Sequence, residues 1–284
     1  MPIGKYMSVG ITAGLVVAAV LLGLMGRSRL QRLPDDYADN WAFTIRSEFR
    51  PTPNAPWERF ELSLKRSDQT LLSTSDYNVV QSDLSAVRSN GEPHFENTGL
   101  YAIDRESRVN LPGRGDVERD GQFLLPPETK PTDYLLWDSQ YTGPRQLTYQ
   151  GEYEIDGLRL LHFTFALRGL DESTGYAHLE DVPERYRALT DADGELWIEP
   201  DTGRLVDYRE QGLSYFHNAE RGAVADLHRW EARMDEPTRQ RQRAEARAER
   251  NRYWLVSRVL PSGCLLLALA MMAPAWWSRR RGRP

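Results

Sequence analysis

The stretch "TYQGEYEIDGLRLLHFTF", residues 148–165, predicts two antiparallel strands that reverse direction at Asp156-Gly157. A two-residue Asp-Gly loop favours a type I′ turn, because the twist of that turn matches the twist of the flanking strands. The expected register pairs Ile155 with Leu158, Glu154 with Arg159 and Tyr153 with Leu160. This hairpin indicates that the middle of the chain is built from antiparallel strands.

Phe163 and Phe165 lie further from this turn, on the face opposite to Tyr153 and Leu160. Burying one phenylalanine side chain contributes roughly 1.5–3 kcal/mol, so both faces of the ribbon must be covered. One face would pack on the core of the domain. We expect Phe163 and Phe165 to line a cavity or groove that accepts an apolar ligand. The segment 175–190 and a partner protein are the alternative covers.

Further hairpins are predicted on both sides of this ribbon. Residues 196–208, "LWIEPDTGRLVDY", predict a hairpin with Gly203 in a left-handed conformation. Its expected register pairs Ile198 with Val206 and Leu196 with Tyr208. Residues 99–111 predict a short hairpin, and residues 59–87 alternate and are rich in strand formers. The sequence therefore predicts a mainly β domain with a curved antiparallel sheet.

Two uncharged apolar runs, residues 7–26 and 259–277, frame this region. A helix of about 20 residues spans roughly 30 Å, the thickness of one bilayer core. Tyr253-Trp254 and Trp276-Trp277 bracket the second run, as interfacial aromatic belts do. The first run could instead be a cleaved signal peptide, but no small-x-small cleavage site follows it. We therefore predict two transmembrane helices, the first of them uncleaved.

The basic residues predict an orientation for these two spans. The tail at residues 278–284 is rich in arginine and favours the cytoplasm, and the short tail at residues 1–6 would lie there too. Arg27, Arg29 and Arg32 argue for the opposite orientation, so the carboxyl-terminal tail decides. Residues 27–234 would then form the extracytoplasmic domain of a double-pass protein in the bacterial inner membrane.

Residues 235–258 predict a charged helical stalk that leads into the second span, with a helix start at Asp235–Pro237. Four arginines of this helix fall on one stripe: Arg239, Arg243, Arg247 and Arg250. We interpret the stripe as the solvated face of the stalk, with anionic lipid or a partner as the alternative contact. A second helix is predicted for the insertion at residues 175–190.

The composition argues against several classes of function. Residues 27–254 have a formal charge of −11, since they contain all 41 acidic and 30 of the 36 basic residues, which disfavours binding to nucleic acid. Cys264 is the only cysteine, so no intrachain disulfide forms. The five histidines lack metal-ligand spacing, and residues 190–197 predict a turn rather than a calcium loop. With no catalytic motif in the sequence, we expect no enzyme activity, metal or cofactor.

Three blocks of the sequence resemble the PorA-type porin family of bacterial envelope proteins, in the family's order: residues 101–110, 134–163 and 196–208. The two flanking apolar runs match the layout of that family. The resemblance implies a two-pass envelope protein, and it implies no established catalytic role for any residue. The matching positions, most of which suit turns or strand packing, are Tyr101, Asp104, Arg105, Trp137, Asp138, Gly151, Asp156, Gly157, Trp197, Pro200, Thr202 and Gly203.

The hairpins are also loosely similar to those of LolA-like lipoprotein carriers, whose curved sheet holds acyl chains; this likeness concerns the fold alone. Three functions stay open. The favoured one is an extracytoplasmic domain that binds an envelope component, namely membrane lipid, a lipoprotein or a protein partner. The second is a sensory input domain that signals through a membrane protein partner. The third is an oligomeric channel, although neither apolar run has a polar face to line a pore.

Overall fold

The computed structural model describes residues 3–21, 23, 26–138 and 143–281. The chain forms two compact units. One comprises residues 33–246, and the other comprises residues 1–32 together with residues 247–284. The first unit contains all the β-strands, and the second contains the two apolar helices.

Ten strands form one antiparallel sheet in the order β4-β3-β2-β1-β10-β9-β8-β7-β6-β5. Strands that are consecutive in sequence pair with each other, except for β4 and β5, which form the two edges of the sheet. The one pair between strands remote in sequence joins β1 to β10. Their bounds are β1 (Ala38–Phe49), β2 (Glu58–Ser73), β3 (Tyr77–Arg88), β4 (Pro93–Asp104), β5 (Tyr134–Asp138), β6 (Gly143–Ile155), β7 (Leu158–Asp171), β8 (Arg187–Glu199), β9 (Arg204–Asn218) and β10 (Gly222–Met234). The prediction of a mainly β, antiparallel fold is confirmed.

The sheet curls into a half-barrel, since strands far apart in its order share one core. Leu84 on β3 and Leu147 on β6, each one strand in from an edge, belong to the same buried cluster. Alternation along the strands supplies this inner face; β3, for example, alternates between buried and partly exposed positions. The core cluster consists of Trp41, Phe43, Ile45, Leu62, Leu64, Leu84, Ala86, Leu125, Leu147, Leu161, Phe163, Phe165, Leu196, Ile198, Tyr208, Ala232 and Met234.

The segment between β4 and β5, residues 105–133, connects the two edges of the curled sheet. Leu111 N donates to Ala102 O at 2.7 Å on the β4 side, and Asn110 N donates to Gly121 O at 2.9 Å within the segment. On the β5 side, Gln122 N donates to Leu135 O at 2.7 Å. These hydrogen bonds hold the segment as a cover, which we call the covering segment, over one end of the interior.

The hairpin at residues 148–165 has the predicted register. Ile155 pairs with Leu158, Glu154 with Arg159 and Tyr153 with Leu160. Asp156 and Gly157 have positive φ values of 52° and 74°, as a type I′ turn requires. The guanidinium of Arg159 bonds the carboxylate of Glu152 at 2.7 and 2.9 Å, so its ion pair is diagonal rather than with Glu154.

The second hairpin differs from its predicted register by one residue. Leu196 pairs with Tyr208 as expected, but Ile198 pairs with Leu205, because a bulge leaves Val206 as the extra residue. Glu199 pairs with Arg204, so the loop has four residues, 200–203. Within it the Glu199 carbonyl accepts the N–H of Gly203 at 2.9 Å. Gly203 has φ 74°, as predicted. The predicted hairpin at residues 99–111 is present only in part, since its return arm forms a single bridge with β4.

Two predictions about helices are wrong in part. The insertion at residues 175–190 contains turns instead of a helix, and Arg187–Thr190 belong to β8. Its apolar residues Leu179, Val182 and Tyr186 pack with Ala188, Phe216 and Leu227 in a separate small core. The turns suffice because this core fixes the segment through side-chain burial rather than through helical hydrogen bonds.

The predicted stalk is helical, since α3 covers Glu236–Trp254, and the Asp235 side chain caps it by accepting the Thr238 N–H at 2.8 Å. One face of its first half is buried, however, with Thr238, Gln242 and Ala246 on that face. Ala246 packs with Leu158, Leu160, Trp197 and Val206 on the outer face of the sheet. The outer cover of the opening ribbon is therefore α3 rather than the insertion.

A buried polar cluster fixes the same half of α3 to the sheet. Arg204 Nη1 lies 2.8 Å from Asp39 Oδ2, 2.7 Å from Gln242 Oε1 and 2.8 Å from Glu245 Oε2. Gln242 Nε2 donates to Asp39 Oδ1 at 2.9 Å. Of the arginine stripe, Arg239 pairs with Asp207 and Arg243 with Asp156, both at 3.5 Å.

The second unit contains α1 (Ile3–Leu21), α2 (Arg27–Gln31), a π-helical turn (Leu255–Val259) that follows α3, and α4 (Leu260–Arg281). By length and composition, one helix among the described residues, Glu236–Met272, can cross a membrane. Within this unit α1 packs against α4, and a Cβ on Gly26 would lie 2.4 Å from Val256 Cγ1. Residues 22, 24 and 25 of the first predicted span, and residues 1, 2 and 282–284 of the tails, lie outside the described residues.

Candidate functional site

A cavity of about 80 Å³ lies inside the curled sheet. Its walls come from β1, β2, β3, β5, β8 and β9 and from the covering segment. Apart from one arginine and one glycine, every lining residue is aliphatic or aromatic. The lining residues are Trp41, Phe43, Arg66, Leu84, Phe123, Leu124, Leu125, Leu136, Trp137, Leu196, Ile198, Gly203, Leu205 and Tyr208.

Close contact between two loops forms one end of this cavity. Gly203, in the turn between β8 and β9, lies so near the covering segment that a Cβ would be 2.3 Å from Leu125 O and 2.6 Å from Pro126 O. The Thr129 N–H donates to Pro200 O at 2.9 Å beside this contact. A glycine with positive φ is what allows the two backbones to meet here.

Arg66 is the charged residue of the cavity wall, and its charge is already compensated. Its Nε and Nη2 donate to the two carboxylate oxygens of Asp68, both at 2.9 Å. The guanidinium lies 4.9 Å from the ring centroid of Trp41 and 4.8 Å from that of Phe123, a geometry in which cation–π attraction is favourable. Burial raises the pKa of the Asp68 carboxyl, and the charge and hydrogen bonds of Arg66 oppose that rise.

Phe163 and Phe165 lie inside the sheet, but neither lines this cavity. Phe163 is fully buried, with the rings of Tyr134 and Tyr149 at 5.9 and 5.8 Å. Phe165 packs on Gly194, whose Cβ would lie 2.2 Å from the Phe165 ring. Both are packed core residues beside the cavity, and their contact with a ligand stays a prediction.

The aspartate and arginine of the first family block fix the end of β4. Asp104 Oδ1 accepts the N–H groups of Glu106 and Ser107 at 3.0 and 2.7 Å, which closes a turn. Arg105 donates to Leu33 O at 2.9 Å and to Thr74 O at 2.7 Å. Its guanidinium therefore ties the start of the domain to the loop between β2 and β3.

Two aromatic residues of the family blocks lie at or near the cavity. Tyr101 is buried with its ring 4.7 Å from that of Phe123, and Arg119 lies 3.9 Å from the Tyr101 ring centroid. Trp137 lines the cavity directly. Asp138 ends β5, and only its backbone is described; residues 139–142 of the same block lie outside the described residues.

The other family residues occupy turns and strand contacts. Gly151 lies at the bulge between β6 and β7, and Asp156 and Gly157 form the type I′ turn. Trp197 stacks on His162 at 4.8 Å between ring centroids. Thr202 donates through N and Oγ1 to the Glu199 carboxylate at 2.9 and 2.7 Å, which stabilises the loop that contains Pro200 and Gly203.

A chain of buried polar groups beneath the insertion was not predicted from the sequence. Tyr176 Oη lies 2.9 Å from His228 Nδ1 and 3.2 Å from Ser214 Oγ. Ser214 Oγ lies 2.8 Å from Thr190 Oγ1, and Thr190 donates to Glu172. Burial lowers the pKa of His228 to about 4, with a smaller effect of His94. The chain holds the insertion on the sheet, and its residues gave no signal because they come from separate strands and turns.

No group of three His, Cys, Asp or Glu side chains that could hold a metal ion occurs in the part of the chain that the structure describes. The arrangement at the cavity is suited to noncovalent binding, since its one ionic group is paired and its remaining wall is apolar.

Comparisons with known proteins agree with the resemblance of the sequence blocks. No curated protein matches the chain. A family model described as Porin PorA matches residues 6–277, which is nearly the whole chain. The matched range includes the strands β1–β10 and most of α1 and α4. The chain therefore belongs to the Porin PorA family.

Proposed function

We propose that this protein is a membrane-anchored envelope protein whose curled sheet binds the apolar chain of a lipid or lipoprotein. The observation that supports the proposal is the apolar cavity inside the sheet, whose only charged lining residue is paired with Asp68. A cavity of roughly 150 Å³ lined by Leu, Ile and Phe accommodates benzene. The present volume of about 80 Å³ suits the end of a chain rather than a whole lipid.

Entry of such a chain requires the covering segment to move. Phe123, Leu124 and Leu125 are the lining residues that do not belong to a strand or to the turn at Gly203. Backbone hydrogen bonds join the segment to β4 and β5 at separate points, such as Leu111–Ala102 and Gln122–Leu135, whereas β8 and β9 pair along most of their lengths. Elements with few hydrogen bonds open at lower free energy than the centre of a sheet, so this wall is the expected entrance.

The surfaces of the sheet favour binding over conduction. A membrane barrel presents an apolar band to lipid, whereas the outer face of this sheet has exposed ion pairs such as Arg46–Glu61 and Arg168–Asp193. The interior is filled by core side chains apart from the small cavity. A channel built from this sheet would need a continuous polar interior, so a porin-like pore is the weaker proposal.

Two-pass anchoring in the bacterial inner membrane, with the sheet outside the cytoplasm, is part of the proposal. Close helix approach through small residues is typical of packing in lipid. Here Ala19 of α1 and Ala268 of α4 are buried within their unit, and Gly26 approaches Val256. A cleaved signal peptide could not keep these contacts. The intact mass of the purified chain tests this, and a mass that lacks residues 1–26 would contradict it.

A sensory input domain is the second candidate, and one observation favours it. The cluster around Arg204 fixes the first half of α3 to the sheet, and the same helix continues through a π-helical turn into α4. A ligand-dependent change in the sheet would therefore act on a helix that leads to the apolar segment. This candidate needs a membrane protein partner to receive the signal.

Photolabelling tests the binding proposal. The full chain in lipid nanodiscs would be irradiated with a diazirine-bearing alkyl ester, and labelled peptides would be located by mass spectrometry. We expect labels on Phe123–Leu125 or on Leu196, and loss of these labels in Leu205→Trp, which fills the cavity from β9. Leu213→Trp is the matched control, because Leu213 lies on the same strand and does not line the cavity.

Labels confined to α1 and α4, or labelling of the sheet that Leu205→Trp leaves unchanged, would contradict the proposal. Substitution of Phe163 by aspartate is unsuitable for this test. Because Phe163 is fully buried in the core, a charge there would unfold the sheet rather than report on binding.

A further inference from the structure

We propose that the cavity selects a neutral chain with a hydrogen-bond acceptor, such as an ester or amide carbonyl, over a chain that ends in a carboxylate. This inference rests on the proposed function and specifies the ligand class. Two observations on the cavity wall support it. The charge of Arg66 is already paired with Asp68, and the indole N–H of Trp41 has no hydrogen-bond acceptor among the described residues.

The Arg66–Asp68 pair disfavours an anionic ligand. Both oxygens of Asp68 are occupied by Arg66 at 2.9 Å, and the Asp68 side chain has no exposed surface. A ligand carboxylate that approached Arg66 would lie beside this buried carboxylate, where two like charges destabilise each other. It would also lose its hydration on entering an apolar cavity, which is costly for an ionised group without a partner of its own.

Trp41 favours a ligand that carries a neutral hydrogen-bond acceptor. Its side chain lines the cavity, and only 5 % of the residue's surface is exposed. Among the described residues, its Nε1–H has no hydrogen-bond acceptor. Buried indole N–H groups usually find an acceptor, because leaving a buried donor unsatisfied costs about 1–3 kcal/mol. A ligand carbonyl would satisfy this donor, and a water molecule is the competing occupant.

The third constraint is size. A volume of about 80 Å³ admits a few carbon atoms and one carbonyl, while the rest of a longer chain would extend past the covering segment. Ester-linked chains occur in lipids, and amide-linked chains occur in acylated proteins. Both present the same neutral carbonyl beside an alkyl chain, so the shared chemistry is a neutral acyl group.

Equilibrium dialysis of the full chain in nanodiscs against matched empty nanodiscs tests the selection. The tritiated probes are methyl hexanoate, N-methylhexanamide, hexanoate at pH 7 and hexane. We expect saturable binding of the ester or the amide. Tighter binding of the ester would indicate a lipid as the source of the chain, and tighter binding of the amide would indicate an acylated protein. Hexanoate should bind on the order of tenfold more weakly than the tighter neutral carbonyl probe.

Trp41→Phe keeps an aromatic face beside Arg66 and removes the N–H. It should weaken binding of the carbonyl probes roughly threefold to tenfold, the value of one neutral hydrogen bond, and leave hexane binding unchanged. Trp137→Phe is the matched control, since Trp137 lines the same cavity. Equal losses for hexane and the ester in Trp41→Phe, or no loss for either, would overturn the role of the N–H.

Asp68→Asn supplies an independent arm. With the carboxylate removed, Arg66 becomes an uncompensated cation, so hexanoate should raise the thermal midpoint of this variant and not that of the wild type. Hexanoate that binds the wild type as tightly as the ester would overturn the selection while leaving the binding function intact. Absence of saturable binding by all four probes would overturn the proposed function and this inference together.

Discussion

Gly203 offers the sharpest test of how the cavity end is built, because two separate physical costs meet at one residue. Its φ of 74° lies in the left-handed region, where an alanine costs roughly 1–2 kcal/mol. A Cβ at this position would also lie 2.3 Å from Leu125 O and 2.6 Å from Pro126 O. Both neighbours are backbone atoms, so the covering segment itself would have to move.

Gly157 provides the matched comparison. It has the same φ of 74°, in the turn of the opening hairpin, but a Cβ there would meet no atom within 4 Å. Gly157→Ala should therefore cost only the backbone strain, roughly 1–2 kcal/mol. Gly203→Ala should cost this strain and the overlap together. Overpacking of this kind costs roughly 1–3 kcal/mol, which gives a total of roughly 2–5 kcal/mol.

Thermal unfolding of the full chain, followed by near-ultraviolet circular dichroism, measures both effects. For a domain of this size, 1 kcal/mol corresponds to a shift of roughly 2–4 °C in Tm. We expect the shift for Gly203→Ala to be about twice that for Gly157→Ala. Equal shifts in the two variants would refute the close contact between the turn and the covering segment, because strain alone would then explain both.

Three further predictions concern the buried His228, the contact between α3 and the sheet at Arg204, and the membrane topology. Burial lowers the pKa of His228 to about 4 in the folded chain. As pH falls, His228 is therefore protonated in the unfolded chain before it is protonated in the folded chain. The free energy of unfolding should fall by up to roughly 3 kcal/mol between about pH 6.5 and about pH 4. Urea unfolding at pH 7 and pH 4.5 checks this, and His228→Gln should remove that part of the pH dependence. Arg204→Met should destabilise the chain by roughly 1.5–3 kcal/mol in the same assay, because it removes one of the two arginines that pair with the buried Asp39 carboxylate and leaves only Arg241 at 3.2 Å; a loss below 1 kcal/mol would contradict the burial of this cluster. Alkaline phosphatase fused after Asp226 should be active and a fusion after Pro284 inactive, and the reverse pattern would contradict the proposed orientation.

Local features of the fold could be predicted from the sequence because they depend on a few neighbouring residues. The Asp156-Gly157 turn and the positive φ of Gly203 follow from backbone preferences that act over two or three residues. Alternation and strand-forming residues predicted the strands within residues 59–87, 148–165 and 196–208, whereas β1 and β10 were not predicted. The register of the second hairpin was missed by one residue because the bulge at Val206 depends on how β9 packs, and a bulge leaves no distinct local pattern.

The polarity of α3 was misinterpreted for a related reason. Its first half looked solvated because its binding partners are remote: Asp39 and Arg204 are 165 residues apart in sequence, and both meet at Gln242. Glutamine and arginine side chains are compatible with both a solvated helix and a buried polar cluster. Only the tertiary structure shows which partners they meet.

The cavity could not be predicted from the sequence either. Alternation along each strand determined which side chains share a face, and the family blocks indicated Trp137 and Gly203. That Trp41, Arg66 and Leu84 join them around one space depends on the curl of the sheet. Hydrophobic periodicity sets the side of a strand on which a residue lies and carries no information on how far the sheet curls. The sequence alone therefore determined the Asp156-Gly157 hairpin and the left-handed conformation of Gly203, and the tertiary structure decided which residues face the cavity, because the curl arises from packing between strands remote in sequence.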